Sequence, residues 1–166
     1  MTPTRRSDPG LGNRLSAQTQ PMFHRILNAH PITVRDTLQD VRHRFRSEVS
    51  EDTLGRLELV LAEVMNNVAE HAPICDDPQL MGAGRLPVIH LSIVRHNSGL
   101  TCALTDDGVS LPEECLLPRS LPPLLPDDLP EGGFGWFLIQ DLTQALCYYR
   151  EGSRNYLAFC IPFAQS

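Results

Sequence analysis

Glu63, Asn67, Glu70 and His71 fall within a single run, LAEVMNNVAEHA, between Leu61 and Ala72. On a helix, positions four and seven or eight residues apart share one face, so these side chains form a polar stripe beside the apolar Val64 and Val68. Carboxylates, amides and imidazoles are seldom buried without a partner, and a ligand would supply one. Two more signals follow: Asp106-Asp107-Gly108 closes an alternating apolar run, and Gly132-Gly133-Phe134-Gly135 opens another helix-like segment. An amide can hold Mg²⁺, an acid at a strand end can accept from an adenine amino group, and glycines let backbone N–H groups approach phosphates at a helix start. A bound nucleotide would use all of them.

Composition narrows the classes. With 166 residues and 42% hydrophobic content, the chain suffices for one domain with a real core. A net charge of -6 argues against a nucleic-acid partner, whose nonspecific binding needs an excess of cations. No apolar stretch reaches the roughly 18 to 20 residues of a membrane span, and residues 1–21 lack the apolar centre of a secretory signal. The expectation is a cytoplasmic protein that does not engage a membrane. Cys75, Cys102, Cys115, Cys147 and Cys160 contain no CxxC pair, so they read as reduced packing residues. Every basic side chain is arginine, which excludes a phosphate loop built on lysine.

The elements that must position the stripe are legible from periodicity. Residues 1–21 read as a flexible tail, and Met22 to Leu27 as an edge strand. Pro31 precedes a helix with Val34, Leu38, Val41 and Phe45 inward, whose other face carries Arg35, Arg42, Arg44 and Arg46 as solvated surface. Ser50 or Asp52 caps a second helix, the one bearing the stripe. Residues 72–86 read as a loop, followed by a hairpin that turns at Asn97-Ser98-Gly99 and ends on Asp106. Residues 109–131, rich in Pro and Leu, resemble a lid. A helix through Trp136, Leu138, Ile139, Leu142 and Leu146, with Trp136 and Phe137 in the core, then leads to a hairpin around Glu151–Arg154. The expected fold is an α/β two-layer sandwich: a mixed, mostly antiparallel sheet with about three helices on one face, forming a single domain over residues 22–166.

In motif order and spacing, the chain resembles the histidine-kinase-like ATPase superfamily, or Bergerat fold, and within it the anti-sigma-factor serine kinases. Glu63 to Ala72 resembles that family's N-box, Asp106-Asp107-Gly108 its first glycine box, and Gly132 to Ile139 its second. The resemblance spans residues 22–163 and continues through Asn155-Tyr156-Leu157. It implies ATP and Mg²⁺ as cofactors, with Glu63 as general base, Asn67 as metal ligand and Asp106 as acceptor for the adenine amino group. Gly108 would let the chain turn against the base, Gly132, Gly133 and Gly135 would line the triphosphate, and His71 would orient the site or contact phosphate. It also implies an anti-anti-sigma (STAS-type) protein as phosphoacceptor, a sigma factor as second partner, and a homodimer as a common state. Ser110 departs from the pattern where a second glycine is usual, and Arg119 is the one cation between the glycine boxes.

Each signal has an ordinary reading too. Glu63 and Asn67 alone would be a solvated helix edge, Asp106-Asp107-Gly108 a turn, and the glycine cluster a loop. Their order and spacing favour the nucleotide. Two other functions fit the same residues: a nucleotide-gated protein-binding module without phosphotransfer, and the catalytic domain of a sensor kinase, for which His30 or His43 would have to accept phosphate. His24, His30, His43, His90 and His96 lack metal-ligand spacing.

Overall fold

The computed structural model describes residues 22–71, 85–110 and 134–164. The expected tail, most of the expected lid, Arg119, Gly132 and Gly133 lie outside them. β1 (Met22–Asn28) leads into α1 (Pro31–Phe45) and α2 (Glu51–Glu70), and β2 (Val88–His96) and β3 (Gly99–Asp106) form a hairpin. α3 (Phe134–Leu142) precedes a second hairpin, β4 (Gln144–Glu151) and β5 (Arg154–Pro162).

Local chemistry sets the helix starts. Pro31 occupies the first turn of α1, where its missing N–H is no loss, and the His30 Nδ1 accepts from the Ile32 N–H at 3.2 Å. Ser50 caps α2 by accepting from the Thr53 N–H at 3.2 Å, and Glu51 and Asp52 in the first turn suit the positive end of the helix dipole. Val34, Val41 and Phe45 of α1 and Leu54, Leu57, Leu61, Val64 and Met65 of α2 form the helical half of the core. The arginine face of α1 is surface, as expected, and much of it is paired. Arg42 grips Glu58 through two hydrogen bonds of 2.8 and 2.6 Å and reaches Glu51 at 3.0 Å, tying α1 to α2.

The five strands lie in the order β1-β2-β3-β5-β4, and each described pairing is antiparallel. Two helices between β1 and β2 return the chain in the reverse direction, so these neighbours need no parallel pairing. β3 and β4 do run the same way, but β5 lies between them. Ile89, Leu91 and Ile93 of β2, Cys102 and Leu104 of β3, and Leu157, Phe159 and Ile161 of β5 alternate inward onto the helices. Burial pushes the Cys102 thiol well above its usual range, in keeping with a packing role. The opposite sheet face carries Met22, Ile26, Val94 and Tyr149, all exposed, with Tyr149 stacked on Tyr156 at 4.6 Å between ring centres.

One helix boundary differs from the expectation. α3 stops at Leu142, where the Thr143 hydroxyl donates to the Ile139 carbonyl, and Leu146 belongs to β4. Ala145 has a φ of 54° within the irregular β4 register between Gln144 and Cys147, so the backbone leaves helical geometry there. No helix among the described residues is long and apolar enough to cross a membrane.

Gly99 is buried where β3 begins, and a Cβ there would run into the Ile161 carbonyl oxygen with the Pro162 Cα 3.0 Å away. Both obstacles are backbone, so Gly99→Ala must spread β3 from β5. It is expected to destabilise the fold by about 1–3 kcal/mol, read as a lower urea midpoint.

Candidate functional site

Part of the polar stripe, Asn67 and His71, faces a cavity of about 140 Å³ between the helices and the inner face of the sheet. Asn67 and His71 reach it from α2, Asp106 from the end of β3, Trp136 from α3, and Tyr148 and Asn155 from the second hairpin. Val64, Val68, Ile89, Leu104 and Leu157 make its remaining wall largely apolar. An apolar slot with a few convergent polar groups suits a small planar ligand.

Asp106 is anchored through one of its two oxygens. Its Oδ1 accepts from the Gly108 N–H at 2.8 Å and from the Asn155 Nδ2 at 2.9 Å, whereas Oδ2 has no hydrogen-bond partner among the described residues. Burial raises its pKa above the ordinary aspartate value, against the opposing pull of the Asn155 and Gly108 hydrogen bonds. Asp107 acts on the backbone instead. Its Oδ1 accepts from the Val88 N–H at 2.7 Å and its other oxygen pairs with Arg85, fastening the start of β2. Its partial burial works upward, but Val88 and Arg85 hold its pKa below the usual value. Gly108 fits the turn closely, since a Cβ there would lie 3.0 Å from Asp106 Oδ1 and 3.5 Å from Val68 Cγ1.

Asn67 presents the opposite condition. Its Nδ2 is buried and has no hydrogen-bond partner among the described residues. An orphaned amide costs about 1–3 kcal/mol, which a ligand would recover. The two ends of an amide exchange by a half-turn, which would bring Oδ1 to the same place as a ligand for a hard cation. The residue therefore suits Mg²⁺. Glu63, about 6 Å earlier along α2 by helical rise, is half-buried and outside the cavity. It lies against the start of α3, where a Cβ on Gly135 would press on Oε2, the mobile end of the Glu63 side chain.

The structure thus brings Asn67, His71 and Asp106 to one cavity, with Gly108 in the turn beside it, and sets Glu63 against Gly135 at the neighbouring α2–α3 contact. Glu70, the fourth member of the stripe, is exposed and outside the cavity. Trp136, expected only in the core, does both jobs: it is 5% exposed and also forms cavity wall. Tyr148 and Asn155 are not legible as site residues in the sequence. Asn155 sits opposite Asp106 only because β5 pairs with β3, a contact between residues 49 apart.

A helix-backed antiparallel sheet with this slot beneath its helices has room for a small ligand between its two layers. Residues 27–161 match the family model of the histidine kinase-like ATPase domain, and the chain belongs to that family. Membership makes it an ATP-binding domain. Its fold is shared with the structure of the RsbU and RsbW domains of Rv1364c from Mycobacterium tuberculosis, at a TM-score of 0.56 and 11% identity. That match covers 88% of this chain and 33% of the other, so this chain spans about a third of its relative's length. The catalytic domain of the histidine kinase ThkA is similar at a TM-score of 0.43 and 13% identity, over 84% of this chain and 97% of that one. A comparison with curated protein sequences gives no match.

A carboxyl group whose pKa is raised by folding contributes its stability fully below the unfolded pKa and loses it as pH rises through the folded one. Asp106 is such a group. Asp106→Asn keeps an oxygen for the Gly108 and Asn155 donors while removing the buried charge. At pH 7 the free variant is expected to melt above the parent, by about 2–4 °C for each kcal/mol relieved, with the difference vanishing in acid.

Proposed function

We propose that the chain is an ATP-dependent serine kinase that phosphorylates an anti-anti-sigma (STAS-type) protein and controls a sigma factor by exchanging partners. The observation that carries this reading is the Asp106 carboxylate, held by one oxygen and open at the other, in an apolar slot shared with the unpartnered amide of Asn67. The open oxygen would accept from the adenine amino group. Asn67 would hold Mg²⁺, which neutralises charge on the phosphates when bound. Gly132, Gly133 and Gly135 would give the triphosphate backbone N–H groups in place of lysine, with His71 beside Asn67 orienting the site. The choice of serine as acceptor rests on the resemblance of the run Glu63 to Ala72 to the N-box of the anti-sigma kinases.

In the transfer, Glu63 takes the proton of the partner's serine hydroxyl as that oxygen bonds the γ-phosphorus and the bond to the ADP oxygen breaks. The carboxylate lies beside Gly135 at the start of α3, where the glycine cluster would carry the phosphates. A homodimer would use the sheet face opposite the helices, where Met22, Ile26, Val94 and Tyr149 are exposed.

The test supplies γ-labelled ATP, Mg²⁺ and a STAS-type protein. Label is expected on a serine, and Glu63→Gln is expected to reduce the rate by about 10²–10⁴-fold while leaving ATP affinity within a few-fold. ATP binding with no labelled serine would leave a nucleotide-gated binding module instead. Acidification supplies a second measurement. A proton on Asp106 competes with the base for the same oxygen, so ATP affinity is expected to fall as pH drops through its raised pKa, above the roughly 3.9 of an ordinary aspartate.

A further inference from the structure

Asn155 is 3% exposed and each end of its amide is committed. Its Oδ1 accepts from the Tyr148 hydroxyl at 2.9 Å and from Arg150 Nη1 at 2.7 Å. Two donors at one end fix which way the amide points, so Nδ2 must face the acceptors on the other side. Those acceptors are Asp106 Oδ1 and the Val109 carbonyl, both at 2.9 Å. Arg150 also reaches the Gly108 carbonyl at 3.1 Å, so the same guanidinium holds the turn that follows Asp106. The second hairpin therefore sets the direction of the Asp106 carboxylate from across the sheet.

We propose that Asn155, held by Tyr148 and Arg150, is a positioning residue that sets the base specificity of the site. It occupies Asp106 Oδ1 and leaves Oδ2 as acceptor for one exocyclic amino group, so that 6-aminopurines enter and 6-oxopurines do not. This rests on the nucleotide reading above and deepens it. A 6-oxo group brings lone pairs against the lone pairs of Oδ2, and a site that leaves such groups unpaired rejects the ligand strongly. Without the Asn155 donor, Oδ1 keeps only the Gly108 N–H, so the carboxyl is held less firmly and takes a proton more readily. Its O–H would then donate to a 6-oxo oxygen, and discrimination would fall. Tyr148 carries the effect because its ring is in the cavity wall and its hydroxyl holds the amide.

Inosine triphosphate, which differs from ATP in its 6-oxo group and the N1 proton, is the discriminating probe. Calorimetric Kd values for Mg·ATP and Mg·ITP are compared across the parent chain, Asn155→Ala and Tyr148→Phe, with melting temperatures as a control for folding. The parent is expected to prefer ATP, and Asn155→Ala to narrow the ATP-to-ITP ratio by about tenfold or more. Tyr148→Phe, which removes only a hydroxyl, is expected to narrow it by a smaller factor and decides the matter if Asn155→Ala does not fold. Asn155→Ala should also lose its ATP preference at a higher pH than the parent. The charged groups acting on Asp106 in that titration are Asp107 beside it and Arg150 of β4; Tyr148 of β4 and His71 at the end of α2 line the same cavity, and Arg154 of β5 and His90 of β2 line a smaller pocket that Asp106 also borders. If both variants weaken ATP and ITP equally and the ratio and pH profile stand, Asn155 is merely structural and the proposal is overturned. If the parent binds neither nucleotide, the nucleotide reading itself fails and this proposal falls with it.

Discussion

A carboxylate placed beneath helices has to be given donors, and the way Asp106 receives them organises this end of the molecule. One oxygen takes the Gly108 N–H and the Asn155 amide, at 2.8 and 2.9 Å. The first ties the acid to its own turn, and the second ties it to the far hairpin, so β3 and β5 must stay in register for the acid to stay solvated by the protein. Desolvation still exceeds what the donors return, which is why its pKa rises. The acid next to it shows the alternative: Asp107, closer to solvent and paired with Arg85 and the Val88 N–H, is held low and serves only the backbone. Two adjacent residues of one type thus have separate work because one points inward and the other does not.

α2 carries the second constraint. Its apolar face supplies Leu54, Leu57, Val60, Leu61, Val64 and Met65 to the core, so the helix cannot rotate to shelter its polar stripe without exposing them. Asn67 and His71 are left facing the cavity and Glu63 facing α3, while Glu70 is exposed. At Glu63 the conflict is relieved by omission, because Gly135 has no side chain to contest the carboxylate. At Asn67 it is not relieved by any protein group among the described residues, and the amide nitrogen is buried and unpaired.

Much of this architecture is legible in the sequence. The period of α1 and α2, the Pro31 and Ser50 signals at their starts, and the alternation of β2 and β3 are local signals, and each element lies where those signals put it. The apolar period overextends α3 because Leu142 and Leu146 are four apart, a spacing that an apolar helix and the start of a half-buried strand both permit. Trp136 reads only as core because a large apolar residue at helical spacing says nothing about whether its edge meets a cavity. Asn155 and Tyr148 are illegible for a stronger reason. Their partners are chosen by the strand order β3-β5-β4, and nothing within a few residues of either one encodes that order.

The unpaired amide and the half-engaged carboxylate together indicate where stability has been given up. A protein selected only for stability would place an apolar side chain at 67 and a neutral acceptor at 106, since burying an unpaired polar group or a charge is unfavourable by kcal/mol amounts. Both choices here run the other way, both groups line the same cavity, and the surrounding wall is apolar, which strengthens any hydrogen bond made inside it. The unfavourable terms exist only in the free protein. A ligand that donates to Asp106 Oδ2 and engages the Asn67 amide removes both at once, so its binding draws on free energy that folding left unspent.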